Sequence, residues 1–346
     1  MKKDGIGKEK PVKSGEEKTM TNAKPNGQEG KKRQHRILHF ITGVICLGLV
    51  LAVSIVSYNI YINNNFKEHF YQVSSGKISG GLRIIQISDL HNSEFGENNE
   101  ELVERISELQ PDIIAMTGDI IEENGQDYQT AVKLCEKLVN IAPVYFVYGN
   151  HETIKSFDSN DMSLEEIDEL LGCDAGSRSP EGFWIMEDEL KSALEAVGVH
   201  VLWNEYETVR VGDNQIDIYG VLTGHPYAFW EYAGDTYSAY YEENAGHFKL
   251  MLCHEPYIYE TWHGDSWADL SLAGHTHGGL IRIPYIGGLY EYRNGLFPES
   301  GDKEFYVYGK YNVNGSPLIV SNGLNNQELL RINNQPELII IDVNRY

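Results

Sequence analysis

Residues 82–91 read LRIIQISDLH, an apolar run from Leu82 to Ser88 that ends in a carboxylate, Asp89, and an imidazole, His91. A short run of this kind is a strand candidate, and the polar pair sits where the strand stops. The same grammar recurs on the C-terminal side. Glu100 to Leu109 reads as a helix, Asp112 to Thr117 as a strand followed by Gly118-Asp119, and Tyr128 to Asn140 as a helix with Ala131, Leu134, Cys135 and Leu138 on one face. Val144 to Tyr148 is a third strand, followed by Gly149-Asn150-His151-Glu152. Strand, helix, strand, helix, strand implies parallel βαβ units and an α/β class. Further along come a helix at Glu187 to Val197 and strands at His200 to Trp203, Glu207 to Val211, Ile216 to Val221, Phe248 to Cys253 and Leu270 to Ala273. This second half is β-rich and suits a second sheet packed on the first.

Five polar clusters thus follow apolar strands: Asp89-Leu90-His91, Gly118-Asp119, Gly149 to Glu152, His254-Glu255-Pro256, and Gly274-His275-Thr276-His277-Gly278-Gly279. In open α/β sheets the carboxyl ends of the strands line one crevice, so residues remote in sequence converge there. Carboxylate, Asn oxygen and imidazole nitrogen are ligands for Mn, Fe, Zn or Co, and the scarcity of thiolate points away from a closed structural zinc site. In D-x-H both side chains can reach one ion; in H-x-H, His275 and His277 can reach one ion or two neighbouring ones. Each motif alone is weak, but five in this order form a specific pattern.

The pattern resembles that of the calcineurin-like metallophosphoesterases: D-x-H, G-D, G-N-H-D/E, a separate His, and G-H-x-H. It covers about residues 82–343, and the closing stretch SNGLNNQELLRINNQPELIIIDV is similar to the end of the family's membrane-associated bacterial branch. The resemblance implies a four-layer sandwich, two mixed β-sheets flanked by helices. It implies two divalent ions, manganese first with iron or zinc as alternatives: Asp89, His91 and His277 on one, Asn150, His254 and His275 on the other, Asp119 bridging. It gives His151 no metal but a place facing the phosphate as the catalytic residue. The implied activity is hydrolysis of phosphomonoesters or phosphodiesters by a metal-bridging hydroxide without a covalent intermediate; a membrane anchor would add lipid- or wall-linked phosphates as candidate substrates. Leu280 stands where the branch usually has Gln. The rival reading is a non-catalytic metal-binding sensor or adhesion module on the same fold, which would have no evident need for His151.

Ile37 to Ile62 carries no Asp, Glu, Lys or Arg, and at 1.5 Å per residue it exceeds the ~30 Å of a bilayer core. It reads as an uncleaved transmembrane anchor; a signal peptide is the rival, though the apolar run is long and no A-x-A site follows. Residues 1–36 hold eleven Lys/Arg against five Asp/Glu, while the remainder of a chain of net charge −23 is strongly acidic. The basic tail is therefore expected to be disordered and cytoplasmic, and the catalytic domain extracellular, on a single-pass cell-membrane protein. An acidic domain does not suit non-specific nucleic-acid binding. The organisation is tail 1–36, anchor 37–62, linker 63–81 and domain 82–346, with an insertion near 153–183. Cys46, Cys135, Cys173 and Cys253 have no C-x-x-C spacing, so neither a zinc ribbon nor a disulfide framework is indicated. The aromatic run near 224–247 is either a substrate platform or loop packing, and His200, His225, His247 and His263 read as structural or exposed, with His225 the one placed to enter the crevice.

Overall fold

The computed structural model describes residues 27–122, 128–155, 184–186, 188–221, 240, 244–261, 268–291, 295–299, 305–327 and 331–345. The chain divides into two units, Met1–Val56 and Ser57–Tyr346. The first is helical in its described part. Helix α1, Gly27–Asn63, begins ten residues before the apolar run and takes in Lys31, Lys32, Arg33 and Arg36. That corrects the expectation of a disordered tail up to residue 36: GQEGKKRQHR has no proline and only two glycines, both at the helix start, and an adjoining helix removes the nucleation cost. Its apolar side chains are exposed. The segment Gly30–Asn63 is long and apolar enough to cross a membrane, by length and composition, as a single-pass anchor or a signal sequence.

In the second unit the strands in chain order are β1 Lys67–Ser74, β2 Leu82–Ile87, β3 Ile113–Thr117, β4 Val144–Val147, β5 Thr153–Lys155, β6 Trp184–Met186, β7 His200–Val201, β8 Glu205–Val211, β9 Asn214–Gly220, β10 Phe248–Leu252, β11 Leu270–Ala273, β12 Arg282–Ile283, β13 Gly287–Gly288, β14 Tyr290–Glu291, β15 Gly295–Leu296, β16 Gly309–Val313, β17 Ser316–Val320 and β18 Glu337–Asn344. The helices are α2 Glu100–Leu109, α3 Gln129–Leu138, α4 Asp188–Ala196 and α5 Ile258–Thr261. One six-stranded sheet runs β1-β18-β2-β3-β4-β7 and the other β16-β17-β11-β10-β9-β8. Both are mixed: β2, β3, β4 and β7 are parallel with β18 antiparallel to β2, while β9, β10, β11 and β17 are parallel with antiparallel β8 and β16 at the edges.

Alternation along the strands builds the layers. In β3, Ile114 and Met116 point into the core shared with Leu102, Ile106, Leu134 and Leu190 of the helices. Ile113 and Ala115 point the other way, onto Ile218, Leu250 and Leu272 of the second sheet. The outer face of the second sheet is covered by Tyr240, Ile258, Tyr259 and Tyr306. With both faces buried, the central strands read as near-continuous apolar runs.

Residues 63–81 are not a free linker. Lys67–Ser74 form β1, paired in parallel over all eight residues with β18, from Lys67 with Glu337 to Ser74 with Asn344. The strand lies at a half-exposed sheet edge, where polar residues are tolerated, so KEHFYQVS carries no apolar run to betray it. Most of the expected insertion, 156–183, and most of the aromatic run, 222–239 and 241–243, lie outside the described residues, as do His225, His263 and Cys173.

Candidate metal centre

The strand ends converge. Backbone bonds knit them into one floor: Asp89 N–H donates to Gly118 O at 3.0 Å, His91 N–H to Asp119 O at 3.0 Å, Gly274 N–H to His254 O at 2.9 Å, and Leu324 N–H to Ser88 O at 2.9 Å. Beneath it lies Gln86, fully buried in β2, whose amide donates to Thr117 Oγ1 at 3.0 Å and to Ala273 O at 2.8 Å, joining the two sheets under the site.

All seven expected ligands meet here in two groups that share Asp119. Asp89, His91, Asp119 and His277 place one donor atom each within 4.8 Å of one another, and Asp119, His254 and His275 do the same. His91 Nε2 lies 3.2 Å from His277 Nε2, and His277 Nε2 lies 3.4 Å from Asp89 Oδ1. In the second group Asn150 Oδ1 is 3.2 Å from His254 Nε2 and 2.8 Å from His275 Nδ1. Asp119 Oδ2 stands between the groups, 3.1 Å from His254 Nε2 and 3.8 Å from His91 Nε2. His151 sits beside them, its Nε2 3.9 Å from Asp119 Oδ2 and its ring edge-on to His91 with centroids 4.5 Å apart. It is the less enclosed group, with 23% of its side chain exposed against 4% for His91. A third donor cluster, His91, Glu122 and His151, involves a carboxylate that the sequence reading gave no part.

The donors are aimed by their neighbours. His254 Nδ1 lies 2.7 Å from Thr117 O, so it donates its proton to that carbonyl and Nε2 is turned toward the centre. Asp89 is held by Ser88 Oγ–H at 2.5 Å and by the His275 N–H at 2.9 Å. The buried Glu152 accepts N–H bonds from Asp119 (2.8 Å), Ile120 (2.7 Å), Ile121 (3.2 Å) and Gly149 (2.7 Å), clamping the loop that presents Asp119. The motif G-N-H-E contained this residue but gave no sign of its task. Asp89, His91, Asp119, His275 and His277 all have left-handed backbone, φ +48° to +73°. For residues with a Cβ this costs on the order of 1 kcal/mol each, and such strain clusters at functional sites.

Close approach also requires glycine. A Cβ on Gly149 would stand 2.1 Å from Asp119 Oδ1, and one on Gly323 would stand 2.6 Å from Asp89 Cβ. Gly323 belongs to the C-terminal loop, which Arg331 organises from a fully buried position. Its guanidinium donates to the carbonyls of Asn334 (2.6 Å), Asn325 (3.2 Å), Gly323 (2.9 Å) and Asn322. Asn334 in turn donates to His277 O at 2.6 Å. The closing stretch of the chain is therefore a buttress for Asp89 and His277.

Electrostatics suits cations. Burial drives the His91 and His275 imidazoles well below their usual value, leaving them neutral and able to donate a lone pair. Burial would do the same to His254, but the Asp119 carboxylate, with Asp89 behind it, raises that ring to about 10 and is itself held well below the usual carboxylate range. A dication at this point would displace the shared proton. Carboxylate, amide oxygen and neutral imidazole with converging lone pairs fit divalent ions of the Mn, Fe or Zn type. Elsewhere, His200 pairs with Glu207 at 2.7 Å and stacks on Tyr145, and His247 pairs with Asp217 at 2.9 Å, both away from the seven.

Comparison with known proteins gives the family. The family model for calcineurin-like phosphoesterases matches residues 82–279. YkuE of Bacillus subtilis, described as an uncharacterized metallophosphoesterase, is 28% identical over 270 residues, covering 75% of this chain and 78% of that protein. The phosphodiesterase YaeI of Escherichia coli is 26% identical over 265 residues, covering 76% and 82%. Among solved structures, the phosphopantetheinyl hydrolase of Mycobacterium tuberculosis is 12% identical over 70% of this chain and 89% of that one, with a TM-score of 0.36. The chain belongs to the calcineurin-like phosphoesterase family and is a metal-dependent phosphoester hydrolase.

Proposed function

We propose that the chain is a membrane-anchored two-metal phosphoesterase acting on phosphomonoesters or phosphodiesters outside the membrane that α1 spans. Asp89, His91 and His277 would hold one ion and Asn150, His254 and His275 the other, with Asp119 between them. The observation that carries this reading is the position of Asp119 Oδ2, within 3.1 Å of one donor group and 3.8 Å of the other. Two divalent ions bound there supply Lewis acidity, activating water and neutralising the charge that builds up during in-line displacement at phosphorus. The protein's own part is positional. Glu152 and Gly149 fix Asp119, Ser88 and the His275 amide fix Asp89, and Thr117 O fixes the His254 tautomer.

His151 is the acid. Its imidazole lies next to the centre without belonging to either of the two groups that share Asp119, so it can face the phosphate and give a proton to the departing oxygen. General acids of this kind contribute about 10²–10⁴ in rate. The anchor keeps the centre near esters in the same membrane or wall, raising their effective concentration, and a lipid- or wall-linked phosphate is the substrate class that follows. The test is turnover of bis-p-nitrophenyl phosphate and p-nitrophenyl phosphate by the detergent-solubilised full chain, with manganese and after chelation. Manganese-dependent release of nitrophenolate from either is expected. A folded chain that turns over neither overturns the reading.

A further inference from the structure

Outside α1, seven large hydrophobic side chains are exposed among the described residues, and all but Phe70 fall within 285–297 or at Ile332. Tyr285 is fully exposed, Ile286 half so, and both belong to the tip between β12 and β13, where Arg282 pairs with Gly288 and Ile283 with Gly287. Ile332 joins this group through a bridge to Ile281, at the base of the hairpin. In a strongly acidic chain, the stretch Leu280–Tyr290 contains no Asp or Glu and a single cation, Arg282.

The chain path brings this patch close to the end of α1. Asn63, the last residue of the helix, is buried, and its amide donates to Arg331 O at 3.1 Å, next to Ile332. Gln335 reaches back to Asn65 O at 3.3 Å, and Lys67 N–H donates to Pro336 O at 2.8 Å. Lys67, Arg282, Tyr285, Ile286, Glu299 and Tyr308 line one cleft of about 440 Å³. Three residues lie between Asn63 and Lys67, a reach of at most roughly 14 Å over four Cα steps. If the apolar helix ends at the bilayer, the cleft and its hairpin are confined to the membrane surface by covalent length alone.

We infer that the β12–β13 hairpin tip, Pro284-Tyr285-Ile286, with Ile332 beside it, is a second membrane contact that seats in the lipid headgroup region. The inference rests on the anchoring part of the proposed function and is independent of the hydrolase part. An exposed apolar cluster carrying a Tyr matches the interfacial zone, where an amphipathic ring finds both acyl chain and water. The tip itself bears no carboxylate, and the one at its base, Glu299, is paired with Arg282 at 3.0 Å, so the tip adds little to the repulsion that the rest of the domain would feel from anionic lipid. Because β12 begins five residues after His277, the contact also holds the edge of the metal centre toward the bilayer.

The test uses the full chain with Cys46→Ser and Cys173→Ser, leaving Cys135 and Cys253, which are buried, and a single added cysteine at Tyr285→Cys or Asp213→Cys bearing an NBD fluorophore. Asp213 lies in the β8–β9 turn at the start of β9, and its side chain is 90% exposed. In phosphatidylglycerol–phosphatidylcholine vesicles carrying doxyl-labelled lipid, the label at 285 is expected to shift to the blue and to be quenched, and the label at 213 to do neither. A chain that resists carbonate extraction but shows no quenching at 285 overturns the contact and leaves the anchor standing. A chain that carbonate releases overturns both. Manganese-dependent turnover of p-nitrophenyl esters in the same vesicles reports separately on the hydrolase reading and on folding of the labelled chain.

Discussion

Gly323→Ala separates backbone strain from damage to the metal centre. Gly323 has φ +78°, and an added Cβ would stand 2.6 Å from Asp89 Cβ and 3.3 Å from its Cγ. Ordinary contact needs about 3.5–4.0 Å, so Asp89 or the 322–325 loop must retreat by roughly 1 Å. Neither is free to do so: Asp89 is held by Ser88 Oγ and the His275 amide, and the loop by the buried Arg331. Left-handed backbone with a Cβ costs about 1–2 kcal/mol, and overpacking adds about 1–3 kcal/mol. Gly80→Ala is the control, since it shares the backbone state (φ +84°) and meets nothing within 4 Å. Gly80→Ala is expected to lose only the backbone component and to keep both ions. Gly323→Ala should lose the larger sum and also bind metal poorly, because ligand distances tolerate only about ±0.2 Å. Urea unfolding of the metal-free proteins gives the first quantity, and metal content after dialysis against manganese gives the second. If Gly323→Ala matches Gly80→Ala in stability and retains two ions, the C-terminal loop does not support Asp89 and the reasoning fails.

Four further outcomes are expected. His151→Ala should keep two ions by metal analysis while kcat on alkyl phosphate esters, whose leaving oxygen needs a proton, drops about 10²–10⁴-fold; unchanged turnover would remove His151 from the chemistry. Glu152→Ala leaves four buried N–H groups without their acceptor, and at about 1–3 kcal/mol for a buried unsatisfied donor the urea midpoint should fall sharply and metal affinity with it; a wild-type midpoint contradicts the clamp. Lys249→Met breaks a buried pair, Lys249 Nζ to Asp217 Oδ2 at 2.5 Å, for an expected loss of about 3–5 kcal/mol near neutral pH. Burial alone would raise the Asp217 carboxyl, but Lys249, Thr208 and His247 outweigh it and hold the group below its usual value. The pair's contribution is thus present above about pH 4 and fades as the pH falls through the folded value; a difference between wild type and variant that is undiminished in strong acid would show that the pair is not its source. A compartment-sensitive reporter fused after Tyr346 should be active outside the cell, and activity confined to the cytoplasm would invert the topology.

The parts of the fold legible in the sequence are those whose physics is local. Buried on both faces, β2, β3, β4, β10 and β11 are mostly apolar, and each is followed within three residues by the polar residues of the crevice, with glycine among them after β3, β4 and β11. That is why the seven ligand candidates could be picked out by position. Strand β1 lacked such a signal, since an edge strand keeps half its side chains in water and its partner β18 is 270 positions away, Lys67 against Glu337. The supports of the site were hidden for a related reason. Gln86 acts through Ala273, 187 positions on, and Gly323 matters through Asp89. Each still leaves a trace that a physical reading can use. A Gln inside a strand with two buried faces must find partners, so Gln86 in LRIIQIS already marked a place where something polar crosses between the sheets. The same argument applies to Arg331 in an Asn-rich loop that returns to the apolar strand β18: a guanidinium buried there needs carbonyl or carboxylate acceptors, and the carbonyls it collects belong to the loop that holds Asp89 and His277 in place.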